Sequence, residues 1–500
     1  MDPEKADSDN TSSFADDRRS SGWDIRNATK NYTALVLAHG ATAFFSLASV
    51  WLITKQLGPE GYGGIFAFVA GSQLVQIFLN WSSTALARFG IEEFVKTGKI
   101  THSFWSRSFI FFPNLFLILF TGSLWISPLV VSLAIPTQIF WLLAVHILTS
   151  AIWLHIQFGL QGVKMLRLQG ILLMMERVMV FTGIMSLIAV GAVSIENLLW
   201  CYIIPPVILT AVGIGILRPF VGLRNIYDTV QLKRMLMFSL PLLPFAIVGY
   251  LSTSHLDAFF ITRYLSTRDL GIYAIAAQIY GMTLQLPIIA NTVLLSMFVS
   301  LETRSERRSI QRYLEDVLPS ATLIWSGACV GVAAFGSMLI PRVFGPDFEA
   351  SAVPLFVLLL SSAIGAPIYF GYAAFSHAIS ASYVSMIASI LAAIVNISLN
   401  FILIPRYGLV GCAIATFFSV SVCCAVVILL CHRQIEVPGR NLLISIVPIA
   451  VALAAVTLVN SFVISVMIFG AAGAVAALML RKQIKASRIL IYKGSATTSN

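Results

Sequence analysis

The chain has 500 residues, 58% of them hydrophobic and 11% charged, with a formal net charge of +10. This balance lies far outside the globular range and excludes a soluble protein. Apolar stretches of about 20 residues, each able to cross a hydrocarbon core about 30 Å thick, recur along nearly the whole length.

Residues 1–30 carry seven acidic side chains among serines and asparagines and lack the pattern of a cleaved signal, so they read as a disordered cytoplasmic tail. Fourteen spans follow, at 33–54, 62–83, 107–129, 137–160, 169–191, 196–217, 237–262, 270–293, 317–340, 351–376, 383–404, 409–431, 441–460 and 462–480. The expected fold is an all-α polytopic membrane protein. Its organisation is a six-helix lobe over 31–217, a cytoplasmic linker over 218–236 and a second six-helix lobe over 237–432. Two extra helices over 433–480 and a basic tail over 481–500 complete it.

Placing the N-terminus in the cytoplasm puts 26 of the 32 Lys and Arg inside, five outside and Arg177 within a span. This asymmetry sets the orientation, with both termini cytoplasmic. The positive charge is then juxtamembrane anchoring against anionic lipid, as in Arg481 to Arg488, and calls for no nucleic acid. All six cysteines fall in spans without metal-ligand spacing and read as small core residues, so neither a metal nor a cofactor is expected.

The loops are too short for a soluble domain, and the chain has no P-loop and no H-E-x-x-H. An enzyme is therefore not expected. A channel would show a filter motif or rings of charge. Many spans with little extramembrane mass suit a secondary transporter, whose site lies near the bilayer midplane.

Between the first two spans stands LITKQLGPEGYGGIFAF (Leu52 to Phe68), and FITRYLSTRDLGIYAIA (Phe260 to Ala276) is an eroded copy. An offset of 208 matches Ile53 with Ile261, Thr54 with Thr262, Lys55 with Arg263, Leu57 with Leu265 and Gly63 with Gly271. Six spans separate the copies, so the halves form a parallel repeat. Gly58-Pro59 ends a helix and fixes a turn, which makes the motif an outer hairpin.

LGPEGYG, VFGPDFEASAVPLFVLLL (Val343 to Leu360) and NISLNFILIPRYGLVGCAIATFFS (Asn396 to Ser419) resemble the polysaccharide-biosynthesis flippases. These are the Wzx-type exporters of the MOP superfamily, which also holds multidrug (MATE) transporters and the lipid II flippase. The resemblance implies a V-shaped pair of six-helix lobes around a cavity. It further implies alternating-access export of a polyprenyl-diphosphate-linked oligosaccharide across a bacterial inner membrane, with membrane lipids and a polysaccharide polymerase or co-polymerase as further partners.

A charge at the bilayer centre costs roughly 2.5–3.5 kcal/mol, so buried charges usually face a cavity or a partner. Asp257 is the ion-coupling candidate, with Thr253 and Ser254 on its face of the helix; pairing with Arg263 at the outer surface is the alternative. Glu176 and Arg177 are candidates for the cavity, Arg177 as a bidentate diphosphate ligand, and an internal ion pair is the competing reading. Arg88 at the inner end of the second span would gather an anionic head group or act as an anchor.

Gln73, Gln76 and Asn80 form one helical stripe, and Asn396 and Asn400 share a face, as sugar contacts or as interhelical hydrogen bonds. Pro241, Pro244 and Gly249 are hinge candidates, permitting a bend in the seventh span between inward-open and outward-open states. The sequence departs from the family in having one clear intramembrane arginine. Either its glycan is less acidic, or Arg88, Arg218 and Arg234 turn inward. A MATE-like drug or cation antiporter is the rival transporter, and a membrane glycosyltransferase or ligase is a lower alternative lacking external catalytic carboxylates.

Overall fold

The computed structural model describes residues 4–122, 124, 140–224, 226–240, 254–379, 381, 383–459 and 462–481. Among these residues the regular structure is helical, without a strand. The helices are α1 (Glu4–Asn80), α2 (Ser83–Thr97), α3 (Thr101–Phe120), α4 (Phe140–Gly162), α5 (Leu166–Val190), α6 (Ile195–Leu217), α7 (Thr229–Ser239) and α8 (Ser254–Tyr264). They continue as α9 (Thr267–Thr303), α10 (Arg307–Val343), α11 (Pro346–Ala378), α12 (Tyr383–His432), α13 (Arg440–Val459) and α14 (Phe462–Met479).

These fourteen helices are not the fourteen expected spans one for one. Both α1 and α12 contain two spans, broken at Gly58 (φ 64°, ψ −168°) and Gly408 (φ 56°, ψ −135°), a backbone region that side-chain-bearing residues rarely adopt. At Gly408 the chain folds back. A Cβ on Gly411 would lie 2.3 Å from the Leu403 carbonyl oxygen, and Ser419 Oγ donates to the Ala392 carbonyl at 2.8 Å across the two arms. In turn, α2 and α7 are short helices that the span pattern did not anticipate. Nine helices among the described residues are long and apolar enough to cross a membrane, and the chain is a multi-span membrane protein.

Three expectations need amending or fall outside the description. Helical backbone runs from Glu4 through the acidic segment and on into the first span. The third span starts at Thr101 rather than at 107, because Glu93 accepts from the backbone N–H of His102 (2.9 Å) and Ser103 (2.7 Å) and satisfies the first turn. Pro241, Pro244 and Gly249 lie outside the described residues.

Contacts divide the chain into two compact units. The first comprises Met1–Leu52, Phe78–Thr121 and Ala144–Leu242; the second comprises Ile53–Ile77, Gly122–Leu143 and Leu243–Asn500. Within the second unit, α13 and α14 pack on each other and along α10. The same unit holds the two copies of the hairpin motif, and they meet. A Cβ on Gly63 would sit 1.9 Å from the Thr267 carbonyl oxygen, and one on Gly271 would sit 1.8 Å from that of Pro59. Pro59 and Thr267 are themselves matched by the offset of 208, so the crossing is made by repeat-related residues on both sides.

Candidate functional site

Among the described residues, each unit buries a polar cluster built on an ionisable side chain. In the second, Asp257 on α8 is 1% exposed. It accepts from Tyr273 Oη at 2.6 Å and from Asn400 Nδ2 at 3.2 Å. Asn400 Nδ2 also donates to Asn396 Oδ1 at 3.0 Å, and Asn396 reaches the Thr416 hydroxyl at 3.5 Å. The two asparagines share one face of the first arm of α12; Asn400 holds the carboxylate and Asn396 holds Asn400.

The described partners of Asp257 thus come from α9 and α12, and the side chain of Ser254 is not among those described. Thr253 lies outside the described residues. Arg263 is exposed and forms no ion pair with Asp257, whose charge meets neutral donors alone among the described residues. The neighbouring His255 turns elsewhere and stacks on Phe66, with ring centroids 5.7 Å apart.

In the first unit the cluster is built on Arg107, which is fully buried. Its guanidinium donates to Asn80 Oδ1 at 3.1 Å, to Ser83 Oγ at 2.7 Å and to His155 Nδ1. An arginine donor at Nδ1 requires that nitrogen to be unprotonated, which leaves Nε2–H of a neutral imidazole to donate to Ser108 Oγ at 3.1 Å. The guanidinium lies 4.7 Å from the Phe111 ring, and His155 stacks on that ring at 5.3 Å. Arg107 has no carboxylate partner among the described residues, and its Nε makes no hydrogen bond there.

Sequence reasoning missed Arg107 because the third span was drawn to begin at it. The earlier helix start places it six residues inside, about 9 Å along the axis. No local signal marked that start: the cap is Glu93, which reaches the first turn from the preceding helix.

The remaining candidates are dispersed. Glu176 and Arg177 form an ion pair at 3.5 Å, and Trp153 Nε1 donates to Glu176 at 2.8 Å, the internal pairing weighed from the sequence. Arg88 is exposed and lies over the Phe238 ring at 4.6 Å. Arg234 pairs with Glu92 at 3.2 Å, and Glu92 is held below the usual carboxylate range, chiefly by its hydrogen bond from Lys96. The Gln73, Gln76 and Asn80 stripe separates: Gln73 is exposed, Gln76 donates to Ser72 at 3.2 Å, and Asn80 serves Arg107. No group of three His, Cys, Asp or Glu able to hold a metal occurs among the described residues.

Comparison with known proteins gives this arrangement a context. The probable low-salt glycan biosynthesis flippase Agl15 of Haloferax volcanii is 22% identical over 175 residues, 35% of this chain and 37% of that relative. The matched stretch is thus little more than a third of that relative's length. The lipid II flippase MurJ, in an inward closed conformation, has a TM-score of 0.67 at 17% identity, covering 91% of this chain and all of MurJ. A MATE-family multidrug resistance transporter of the MOP superfamily, in an inward-facing conformation, gives 0.60 at 15% identity, covering 81% of this chain and 98% of the other. At these identities the likeness establishes the fold. Residues 32–353, well over half of the chain, match the family described as polysaccharide biosynthesis protein, and the chain belongs to that family.

Proposed function

We propose that the protein is a flippase of the secondary-transporter type. It moves a polyprenyl-diphosphate-linked oligosaccharide from the cytoplasmic to the outer leaflet of a bacterial inner membrane by alternating access between lobes 31–217 and 237–432, with both termini in the cytoplasm. The observation that carries this reading is Arg107, a buried cation held by neutral acceptors. Asn80, Ser83 and His155 orient the guanidinium without neutralising it. A diphosphate head group supplies the missing negative charge and matches the planar donor geometry.

Asp257 is the complementary group, a buried carboxylate held by neutral donors, and in this reading it takes up and releases the coupling ion. Arg177 and Arg88, whose side chains are less buried than that of Arg107, would meet the head group before Arg107 does. Asn396 and Asn400 position Asp257 and do not contact sugar.

The test is complementation of a deletion strain. Loss of the protein makes lipid-linked oligosaccharide accumulate in the inner leaflet, and Arg107→Met fails to restore surface glycan while the variant reaches the membrane. Unaffected surface glycan together with raised drug sensitivity would instead identify a drug antiporter.

A further inference from the structure

The first unit contains a cavity of about 330 Å3 between α3, α4, α6 and the segment after α6. This is at the low end of the range for ligand cavities, about 300–1,000 Å3. Its floor is apolar and buried, formed by Ile156 and Leu217 with Phe104 beside them. Its rim is apolar and open: Phe112 is 48% exposed, Ile214 54% and Leu223 82%. The Phe112 and Ile214 side of that rim lies within expected spans and suits contact with hydrocarbon, while Leu223 lies in the segment beyond α6.

The cavity is built rather than a gap left by slack packing. Trp105 Nε1 donates to the Gly222 carbonyl at 2.9 Å, Gly222 N–H donates to Thr101 Oγ1 at 2.8 Å, and Ile100 N–H donates to the Phe220 carbonyl at 2.9 Å. These bonds pin the segment that closes one end of the cavity to the start of α3, so its shape exists before anything enters.

Charge selects the occupant. The lining contains no carboxylate, and its one arginine, Arg218, stands exposed at the C-terminal end of α6 without an ion-pair partner among the described residues. The clustering of Lys and Arg on this side of the membrane places Arg218 at the level of phospholipid head groups. We propose that the cavity is a structural lipid site, holding one acyl chain of an anionic bilayer phospholipid whose phosphodiester rests on Arg218. A single arginine at the mouth matches the single charge of a phosphodiester. The chain would lie against His155 and Ser108, which line the same cavity, and would keep water from the Arg107 cluster behind them.

The test uses the full-length protein in detergent, titrated with phosphatidylglycerol and with phosphatidylcholine and read by native mass spectrometry. One phosphatidylglycerol should be retained about tenfold more tightly than phosphatidylcholine, the scale of a charge-assisted contact. Arg218→Gln should remove that preference, Arg218→Lys should keep most of it, and Ile214→Trp, which blocks the mouth, should weaken both lipids. Should Ile214→Trp fail to fold, phosphatidylglycerol with brominated acyl chains provides the second measurement: it quenches a component of indole fluorescence that Trp105→Phe abolishes. Equal binding of the two lipids, binding indifferent to Arg218→Gln, or quenching unchanged by Trp105→Phe overturns the proposal. So does displacement of phosphatidylglycerol by a polyprenyl diphosphate, which would make this a cargo site. A flippase whose export survives while this lipid contact is absent would leave the proposed function intact and remove the lipid site alone.

Discussion

Gly63 and Gly271 cross backbone to backbone, and the carbonyls that crowd them, from Thr267 and Pro59, are related by the same repeat offset as the glycines. A methyl group at either position would lie under 2 Å from a main-chain oxygen that has no rotamer through which to retreat. Gly63→Ala and Gly271→Ala should each destabilise the protein by about 1–3 kcal/mol, the usual cost of overpacking. Gly64→Ala, whose added Cβ meets nothing within 4 Å, should be close to neutral. Thermal unfolding of the three purified variants separates these outcomes.

The asparagines of α12 give a second prediction. Asn400→Ala takes a hydrogen-bond donor from a carboxylate that is 1% exposed and leaves Asn396 Oδ1 without its donor. The loss of stability should be about 1–3 kcal/mol, as for other buried polar groups left unsatisfied. Asp257→Asn has a different signature. The amide oxygen still accepts from Tyr273, so the fold should survive while ion-coupled transport is lost. Unfolding curves and transport in proteoliposomes, measured on the same preparations, check both. Full transport by Asp257→Asn would remove Asp257 from the coupling step.

How much of this was legible in the sequence depends on range. The long helices follow from apolar length, whereas the short α2 and α7 do not, and the repeat at Leu52 and Phe260 was readable because hairpin chemistry is local. What the repeat did not disclose is that its two copies touch, since contact between Gly63 and Gly271 is a matter of tertiary packing. Asp257 could be singled out as a rare acid within a span, but its partners could not. Thr253 and Ser254 were near in sequence, whereas Tyr273 and Asn400 are 16 and 143 residues away. Arg107 was lost for a smaller reason. A window of hydropathy finds the apolar part of a helix and misses a polar first turn, and here that turn is capped by Glu93 from the preceding helix.

The Glu176–Arg177 pair makes the third prediction. Arg177 is 37% exposed, and an ion pair in that setting contributes about 0–1 kcal/mol. Arg177→Ala should therefore leave the unfolding midpoint nearly unchanged. Glu176→Ala should cost more, because it also strips Trp153 Nε1 of its acceptor. If Arg177→Ala abolishes export at unchanged stability, Arg177 contacts the head group; if export is retained, the pair serves only packing.

Arg107 carries the last prediction because replacing it separates charge from volume. Arg107→Met keeps a long flexible side chain against Phe111 and removes a buried cation whose Nε has no described partner. Apolar replacement of a buried charge is often neutral or stabilising when the space stays filled, but here Ser83, Asn80 and His155 lose their donor. The two effects oppose, so stability should change by no more than about 1–2 kcal/mol. Export should fall by at least about tenfold, the equivalent of one charge-assisted hydrogen bond. Arg107→Lys keeps the charge and loses the planar fork, so it should restore the bulk of stability and only part of export. Measuring unfolding and surface glycan for both variants distinguishes a substrate-binding cation from a structural one. Full export by Arg107→Met would show that the cluster serves packing alone.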